Sequence, residues 1–305
     1  MVSAETKSTI TDVFVGKVTM AIIVHVSSSI CYNNGVCRNK VNDYRCICPK
    51  GYYGDHCEQT PCTNVNCNFG SCVIDGSTWR CQCPTGHHGT YCEQYPRDCE
   101  DFIENESKSG IYQIYPSDTR GFETYCDMET EGGGWLVFQK RQDGSVNFFR
   151  NWTDYKNGFG DVTGEFWLGN VKIHEITTID EYELYILMED LEGEQRYARY
   201  KTFYIGDIQS KFALEIGGYS GNAGNSLDTT NHKSQPFSTL DRDSSSNCPK
   251  LFKGGWWYGN CHHSNLNGLY LNGPHKSYAD GIEWYHWKGH YYSLKKTQMM
   301  IRRRR

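Results

Sequence analysis

Residues 62–92 read CTNVNCNFGSCVIDGSTWRCQCPTGHHGTYC, and the cysteines are spaced Cys62-x4-Cys67-x4-Cys72-x8-Cys81-x-Cys83-x8-Cys92. Six cysteines so close together leave little room for a hydrophobic core, so disulfides must supply the stability. Gly86 and Gly89 supply turn conformations ahead of Cys92. The same gaps occur once earlier, as Cys31-x5-Cys37-x8-Cys46-x-Cys48-x8-Cys57, with Gly51 and Gly54 placed alike. This is an internal repeat of about 35 residues. A zinc site is disfavoured, because there is no Cys-x-x-Cys pair and the gaps do not fit tetrahedral ligation.

Both copies resemble epidermal-growth-factor-like modules, residues 30–58 and residues 61–93, each expected to be a small disulfide-rich β-hairpin. The resemblance implies that first pairs with third, second with fourth and fifth with sixth cysteine. In the second copy that gives Cys62–Cys72, Cys67–Cys81 and Cys83–Cys92. The first copy lacks its first cysteine, which should lie where the sequence reads HVSSSI. Cys31–Cys46 and Cys48–Cys57 can still form, and Cys37 is left without a partner. A mis-specified N-terminus is the favoured account, and an intermolecular disulfide through Cys37 is the alternative. Cys37-x-Asn39-x4-Tyr44-x-Cys46 resembles the pattern of calcium-binding modules. The acidic residues expected before the first cysteine are absent, and Ile74 stands where the second copy needs Asp or Asn. Both modules therefore read as non-calcium spacers.

All 305 residues together include 31 basic and 36 acidic side chains, for a net charge of −5. That balance argues against general nucleic-acid binding, which needs surplus positive charge. Fifteen cysteines imply an oxidising compartment, so the protein is expected to be secreted. The count is odd, so at least one cysteine lacks an intramolecular partner. Residues 1–29 read as an N-terminal segment, either a signal peptide or a mis-specified region. Their apolar stretch Val18–Val26 is about half of what a membrane-spanning helix needs.

Residues 97–305 contain only four cysteines and have single-domain length. Short apolar pieces (GGWLVFQKR, YELYILM, KFALEI) are broken by Gly, Asn, Asp and Ser clusters. The expectation is an α+β domain, rich in loops, with a mixed or antiparallel sheet of short strands. Four cysteines allow three pairings. The run YCDMETEGGGWLVFQKRQDGSVNFFRNWTDYKNGFG is followed by GEFWLGN, GNAGNSLD, FSTLDRD, GGWWYGNCHHSNLNGLY and GIEWYHWKG. Together these resemble the fibrinogen-related domain, across the whole segment and with all four cysteines in place. The resemblance implies a fibrinogen C-terminal-like globular domain with Cys99–Cys126 and Cys248–Cys261 bonded. CHHSNLNGLYLNGPHKSYADGIEW is most similar to ficolins and horseshoe-crab tachylectins, which bind acetylated sugars. No Gly-X-Y run of a collagen stalk occurs.

Asp241-Arg-Asp243-Ser-Ser245-Ser-Asn247 places oxygens at alternate positions of a loop, a donor type suited to calcium. An EF-hand is excluded, because its sixth position is Ser246 and its twelfth is Phe252. The family resemblance implies ligation by the Asp241 and Asp243 side chains and the Ser245 and Asn247 carbonyls. An N-acetyl group needs an apolar cage with a few polar donors. The resemblance implies Phe252, Asn260, Cys261, His262, Tyr278 and Ala279 as that pocket, with a cis peptide between Asn260 and Cys261. His290 stands where tachylectins carry an aromatic. Trp256 and Trp257 read as core.

Asn105-Glu-Ser107 and Asn151-Trp-Thr153 match the N-glycosylation pattern. The Arg302–Arg305 run reads as a solvated tail. No His-Glu-x-x-His, phosphate loop or Gly-x-Ser-x-Gly occurs, so an enzyme is not expected. The expected function is a secreted, calcium-dependent recognition lectin for acetylated glycans on microbial or cell surfaces; weak single sites would need multivalency, for which a homo-oligomer is one route, and the sequence dictates no copy number. The alternative is a matrix or receptor-ligand protein, tenascin- or angiopoietin-like, that binds a protein partner.

Overall fold

The computed structural model describes residues 30–40, 43–105, 108–117 and 120–304. The apolar stretch Val18–Val26, Ser107, Arg305 and the Asn105 side chain lie outside the described residues. The protein divides into two compact units, one ending at Gln94 and the other beginning at Tyr95. No described helix is long and apolar enough to cross a membrane.

In the first unit, β1 (Val36–Lys40) pairs with β2 (Asp43–Ile47), and β3 (Ser71–Asp75) pairs with β4 (Thr78–Gln82), both antiparallel. Registers match between the two hairpins: Cys37 lies opposite Cys46, and Cys72 opposite Cys81. Gly51 and Gly54 have φ of 87° and 94°, and Gly86 and Gly89 have 81° and 93°, a backbone that favours residues without Cβ. In the second hairpin Cys62 bonds Cys72, Cys67 bonds Cys81, and Cys83 bonds Cys92. In the first, Cys48 bonds Cys57, and the Cys31 sulfur meets both Cys46 and Cys37. Cys37 is thus not isolated, contrary to the expectation from its spacing. With no sulfur in the place that Cys62 takes for Cys72, it turns onto Cys31.

The second unit is built on one antiparallel sheet. Its strands are β5 (Gly110–Ile114), β6 (Phe122–Asp127), β7 (Trp135–Arg141), the short β8 (Phe159–Gly160) and β9 (Phe166–Trp167), β10 (Tyr182–Glu189), β11 (Gln195–Ile205) and β12 (Leu214–Gly221), with β17 (Lys296–Arg303) closing it. Across the sheet the order is β12-β11-β10-β17-β7-β6-β5, and β9 joins β7 to β8. The last strand therefore sits in the middle. Among the described residues the helices are short: α1 (Trp152–Asn157), α2 (Asn170–Thr177), α3 (Cys248–Phe252) and α4 (Tyr285–Lys288). Two small ladders complete the C-terminal part, β13 (Ser264–Asn265) with β15 (Glu283–Trp284) and β14 (Gly273–Pro274) with β16 (Tyr292–Ser293). Trp135, Trp167, Trp256, Trp257 and Trp284 are fully buried and anchor the core.

Within the Arg302–Arg305 run, Arg302 and Arg303 are not part of a solvated tail, whereas Arg304 is exposed and Arg305 lies outside the described residues. Arg302 is buried, donates to Glu183 and to the Glu131 and Gly133 carbonyls, and lies over the Trp135 ring. Arg303 pairs with Asp98 and Asp101, and Arg304 with Glu181. These acids lie 119 to 205 residues away for Arg302 and Arg303, so no local pattern announces them.

A second buried charge pair shapes the loop after β7. Glu165, fully buried, accepts N–H bonds from Gln142, Asp143, Gly144 and Val146, with the Arg141 guanidinium beside it. Burial pushes the Glu165 carboxyl up, but these N–H groups and Arg141 outweigh it and hold the group below the usual range. Glu165→Gln is expected to cost about 3–5 kcal/mol, the scale of a broken buried ion pair. Urea denaturation followed through the tryptophans should show a lower midpoint; a loss below about 1 kcal/mol would mean that the loop is held by other contacts.

Candidate functional site

The loop Asp241–Asn247 leads directly into α3, and the Cys248–Cys261 disulfide ties the start of that helix to the turn before β13. Asp241 Oδ1 accepts from the Trp152 backbone N–H at 2.8 Å and from the Thr239 hydroxyl at 2.8 Å. Asp243 Oδ1 accepts from the Ser245 N–H and hydroxyl, and its Oδ2 accepts from the Asn247 N–H. The Ser245 and Asn247 carbonyls accept one N–H each, from Asn247 and Leu251. Each carbonyl has a second lone pair. The donor set is thus all oxygen, two carboxylates and two carbonyls on one short loop, which fits a hard divalent cation such as calcium.

Around α3 the predicted pocket residues come together, except that Asn260 stays exposed at the rim. Phe252, at the end of α3, stands 4.5 Å from His262, ring to ring, at 84°. His262 faces His290 at 6.0 Å, His290 faces Tyr278 at 5.1 Å, and Tyr278 returns to Phe252 at 6.4 Å. Four rings therefore close a circuit, with Tyr278 exposed and His262 buried at its base. His290, which stands in place of an aromatic, completes the wall. Ala279 is buried beside it, and its carbonyl accepts from His262 Nε2 at 3.1 Å.

That contact fixes the His262 tautomer with the proton on Nε2 and leaves a lone pair on Nδ1, which has no hydrogen-bond partner. Beneath lies Glu283 on β15, its Oε2 3.1 Å from His290 Nδ1 and 3.9 Å from His262 Nδ1. Burial pushes the Glu283 carboxyl up to about 7, against the pull of His290. Burial likewise drives His262 down to about 3. His232 is driven down to about 4 for the same reason. It bonds the Trp257 carbonyl through Nδ1 and accepts from the His263 and Ser264 N–H groups at Nε2, so it positions the segment that directly follows His262.

Backbone strain collects here. Asn247, Lys253, Cys261 and Ala279 have φ of 71°, 58°, 53° and 60°. A left-handed conformation costs a residue with Cβ about 1–2 kcal/mol. Such clustering is characteristic of binding sites. The Asn260–Cys261 peptide is trans, not cis as the resemblance implied. The left-handed Cys261, held by its disulfide, makes the chain reversal instead.

Asn151 is exposed and caps α1, accepting from the Asp154 N–H. Its neighbour Trp152 contacts Asp241, so an N-glycan there would stand beside the loop. Glu283 is the buried acid at this candidate site that sequence reading missed; in GIEWYHWKG it looks like any surface acid. Trp256 and Trp257 are core residues with no exposure.

Comparison with known proteins matches the large domain and the first of the two cysteine-rich hairpins. The family described as fibrinogen beta and gamma chains, C-terminal globular domain, matches residues 95–304. The EGF-like domain matches residues 28–56. Fibrinogen C domain-containing protein 1 of Homo sapiens is 49% identical over 209 residues, 66% of this chain and 45% of that protein. Its counterpart in Xenopus tropicalis is 48% identical over 220 residues, 69% of this chain and 48% of that one. The match thus spans about half the length of these relatives. Among solved structures, the fibrinogen-like globe domain of human ANGPTL2 is 45% identical, with a TM-score of 0.65, covering 68% of this chain and 98% of that one. Fibrin D-dimer of lamprey, complexed with the peptide Gly-His-Arg-Pro-amide, is 37% identical with a TM-score of 0.63, covering 67% and 72%.

The buried imidazoles set the response to acid. Folded, His262 and His232 stay neutral down to about 3 and 4, whereas in the unfolded state both take up protons from about 6.5. The unfolded state then binds more protons, and stability falls as pH drops from about 6.5 towards 4. Glu283 works the other way, since the folded state keeps its proton up to about 7 and the unfolded state releases it above about 4.5. Calorimetry should show the melting temperature falling between pH 6.5 and 4.5, less in His262→Gln and more steeply in Glu283→Gln. A flat profile for the unsubstituted protein would mean that neither imidazole is held neutral.

Proposed function

Since the protein belongs to the family of fibrinogen-type C-terminal globular domains, we propose that it is a secreted, calcium-dependent lectin of the ficolin and tachylectin type. Its ligands are acetylated glycans on microbial or cell surfaces, and its role is innate recognition. An extracellular ligand-binding role follows from the family and from the disulfide-rich module before it. The observation that carries the finer reading is the four-ring circuit of Phe252, His262, His290 and Tyr278 closed over Ala279.

An acetyl methyl group packs on such ring faces, and its carbonyl needs a donor at the rim. The chain at exposed Asn260 and half-buried Cys261 is where that donor would come from. Calcium, held by Asp241, Asp243 and the Ser245 and Asn247 carbonyls, would supply a fixed charge that keeps the loop ordered. Because α3 and the Cys248–Cys261 disulfide connect that loop to Phe252 and His262, loop order reaches the pocket through covalent structure. N-glycans on Asn105 and Asn151 and association of several copies belong to the same reading, since weak single sites gain from multivalency.

A protein partner is the second reading, favoured by the peptide held by the lamprey fibrin fragment, which shares the fold. Chromatography on N-acetylglucosamine beads in millimolar calcium, with glucose beads as control, separates the two. Selective retention and release by EDTA or free acetate are expected. Asp241→Ala combined with Asp243→Ala should abolish retention, and Tyr278→Ala should weaken binding at least about tenfold, equivalent to about 1.4 kcal/mol. Intact binding by the double variant would sink the calcium coupling. Flow-through from both columns would move the assignment to a protein ligand.

A further inference from the structure

The two hairpins of the first unit give the same cross-strand cysteine pair two different fates. In the second hairpin, Cys72 and Cys81 lie opposite one another and each bonds away, to Cys62 and Cys67. In the first hairpin, Cys37 and Cys46 lie opposite one another in the same register. Both reach a single sulfur, that of Cys31. All three sulfurs lie within 4.8 Å of one another. A cysteine sulfur has one covalent valence beyond its Cβ, so Cys31 holds one of the two at a time. Residues 1–30 contain no cysteine, and the other twelve pair among themselves.

We propose that the first module is a thiol–disulfide exchange unit, in which Cys31 carries one disulfide that passes between Cys46 and Cys37. In one direction the Cys37 thiolate attacks Cys31 Sγ, the new Cys31–Cys37 bond forms, and the Cys31–Cys46 bond breaks with its electron pair leaving on Cys46. The reverse step regenerates the first state. No net oxidation occurs and no co-reactant is consumed, because one disulfide and one thiolate stand on each side. The geometry is that of an attacking sulfur already in place, which removes the encounter step that limits such exchange in solution.

Burial decides where the unit meets the outside. Cys31 and Cys46 are buried, while Cys37 is only half-buried. The thiol is therefore reachable when it rests on Cys37, and its external substrates are small disulfides. With glutathione disulfide, the Cys37 thiolate forms one mixed disulfide and one glutathione thiolate departs.

The test uses the full-length protein, quenched in acid to stop exchange, then unfolded and labelled with N-ethylmaleimide. Trypsin cuts after Arg38, Lys40 and Arg45 and so separates the Cys37 and Cys46 peptides. One label per molecule is expected, divided between Cys37 and Cys46, with both a peptide bonded internally between Cys31 and Cys37 and a pair of peptides linked by Cys31–Cys46 present. Incubation with glutathione disulfide should add one glutathione, at Cys37. Cys37→Ser and Cys46→Ser should each carry no label and take no glutathione, because the remaining pair closes. A label on one cysteine alone with a single linkage would overturn the proposal. So would three labels, the state a metal site needs, or none with a species of doubled mass on a non-reducing gel. If a variant misfolds, the label distribution in the unsubstituted protein still decides.

Discussion

The large domain depends on one topological constraint: its final strand is its central one. β17 lies between β10 and β7, so neither half of the sheet is complete until residues 296–303 are in place. The pairing is long-range on both sides, with Met188 opposite Thr297 and Leu136 opposite Ile301. Contacts of such sequence separation cost conformational entropy before they return any energy, which makes the sheet cooperative and slow to form. The same strand brings Arg302 to Glu183 and Arg303 to Asp98 and Asp101, charges that are tolerated inside only because they are paired.

Once the sheet is closed, the candidate site is assembled from segments with almost no regular structure of their own. Two ladders of two residue pairs each carry Glu283 and frame the loops that bear Tyr278, Ala279 and His290. Such ladders are too short to be stable alone. They are held from below by buried side chains, His232 under the Ser264 strand and Trp284, which donates to the Ala223 and Gly224 carbonyls. The left-handed residues Asn247, Lys253, Cys261 and Ala279 persist because this packing and the Cys248–Cys261 bond leave them no alternative.

The first unit solves its stability problem differently. Its buried apolar residues are little more than cysteines, Cys31, Cys46 and Cys57 in the first hairpin with Tyr44 and Tyr52 against them and Cys67 and Cys92 in the second, so covalent bonds replace the apolar core that the larger unit builds from tryptophans. That economy makes it sensitive to cysteine count. One missing sulfur leaves the hairpin intact but changes what Cys37 touches.

Several features were fixed by sequence alone, because they are local. Cysteine gaps announced two hairpins, and the apolar runs at Trp135, Tyr182 and Leu214 announced β7, β10 and β12. The motif run through GGWWYGNCHHSNLNGLY marked the fibrinogen-type domain and gathered Phe252, His262, Tyr278 and Ala279 into one candidate pocket. Tertiary structure alone decided the rest, because the partners are distant in sequence. Arg302 and Arg303 look like a charged tail until Glu183 and Asp98 are folded beside them. Glu283 looks like a surface acid until burial between His262 and His290 raises its affinity for a proton. Strand β17 carries charge at both ends, and only its neighbours on either side make it the centre of a sheet. Spacing records which residues are near in sequence, whereas desolvation and charge pairing depend on which are near in space.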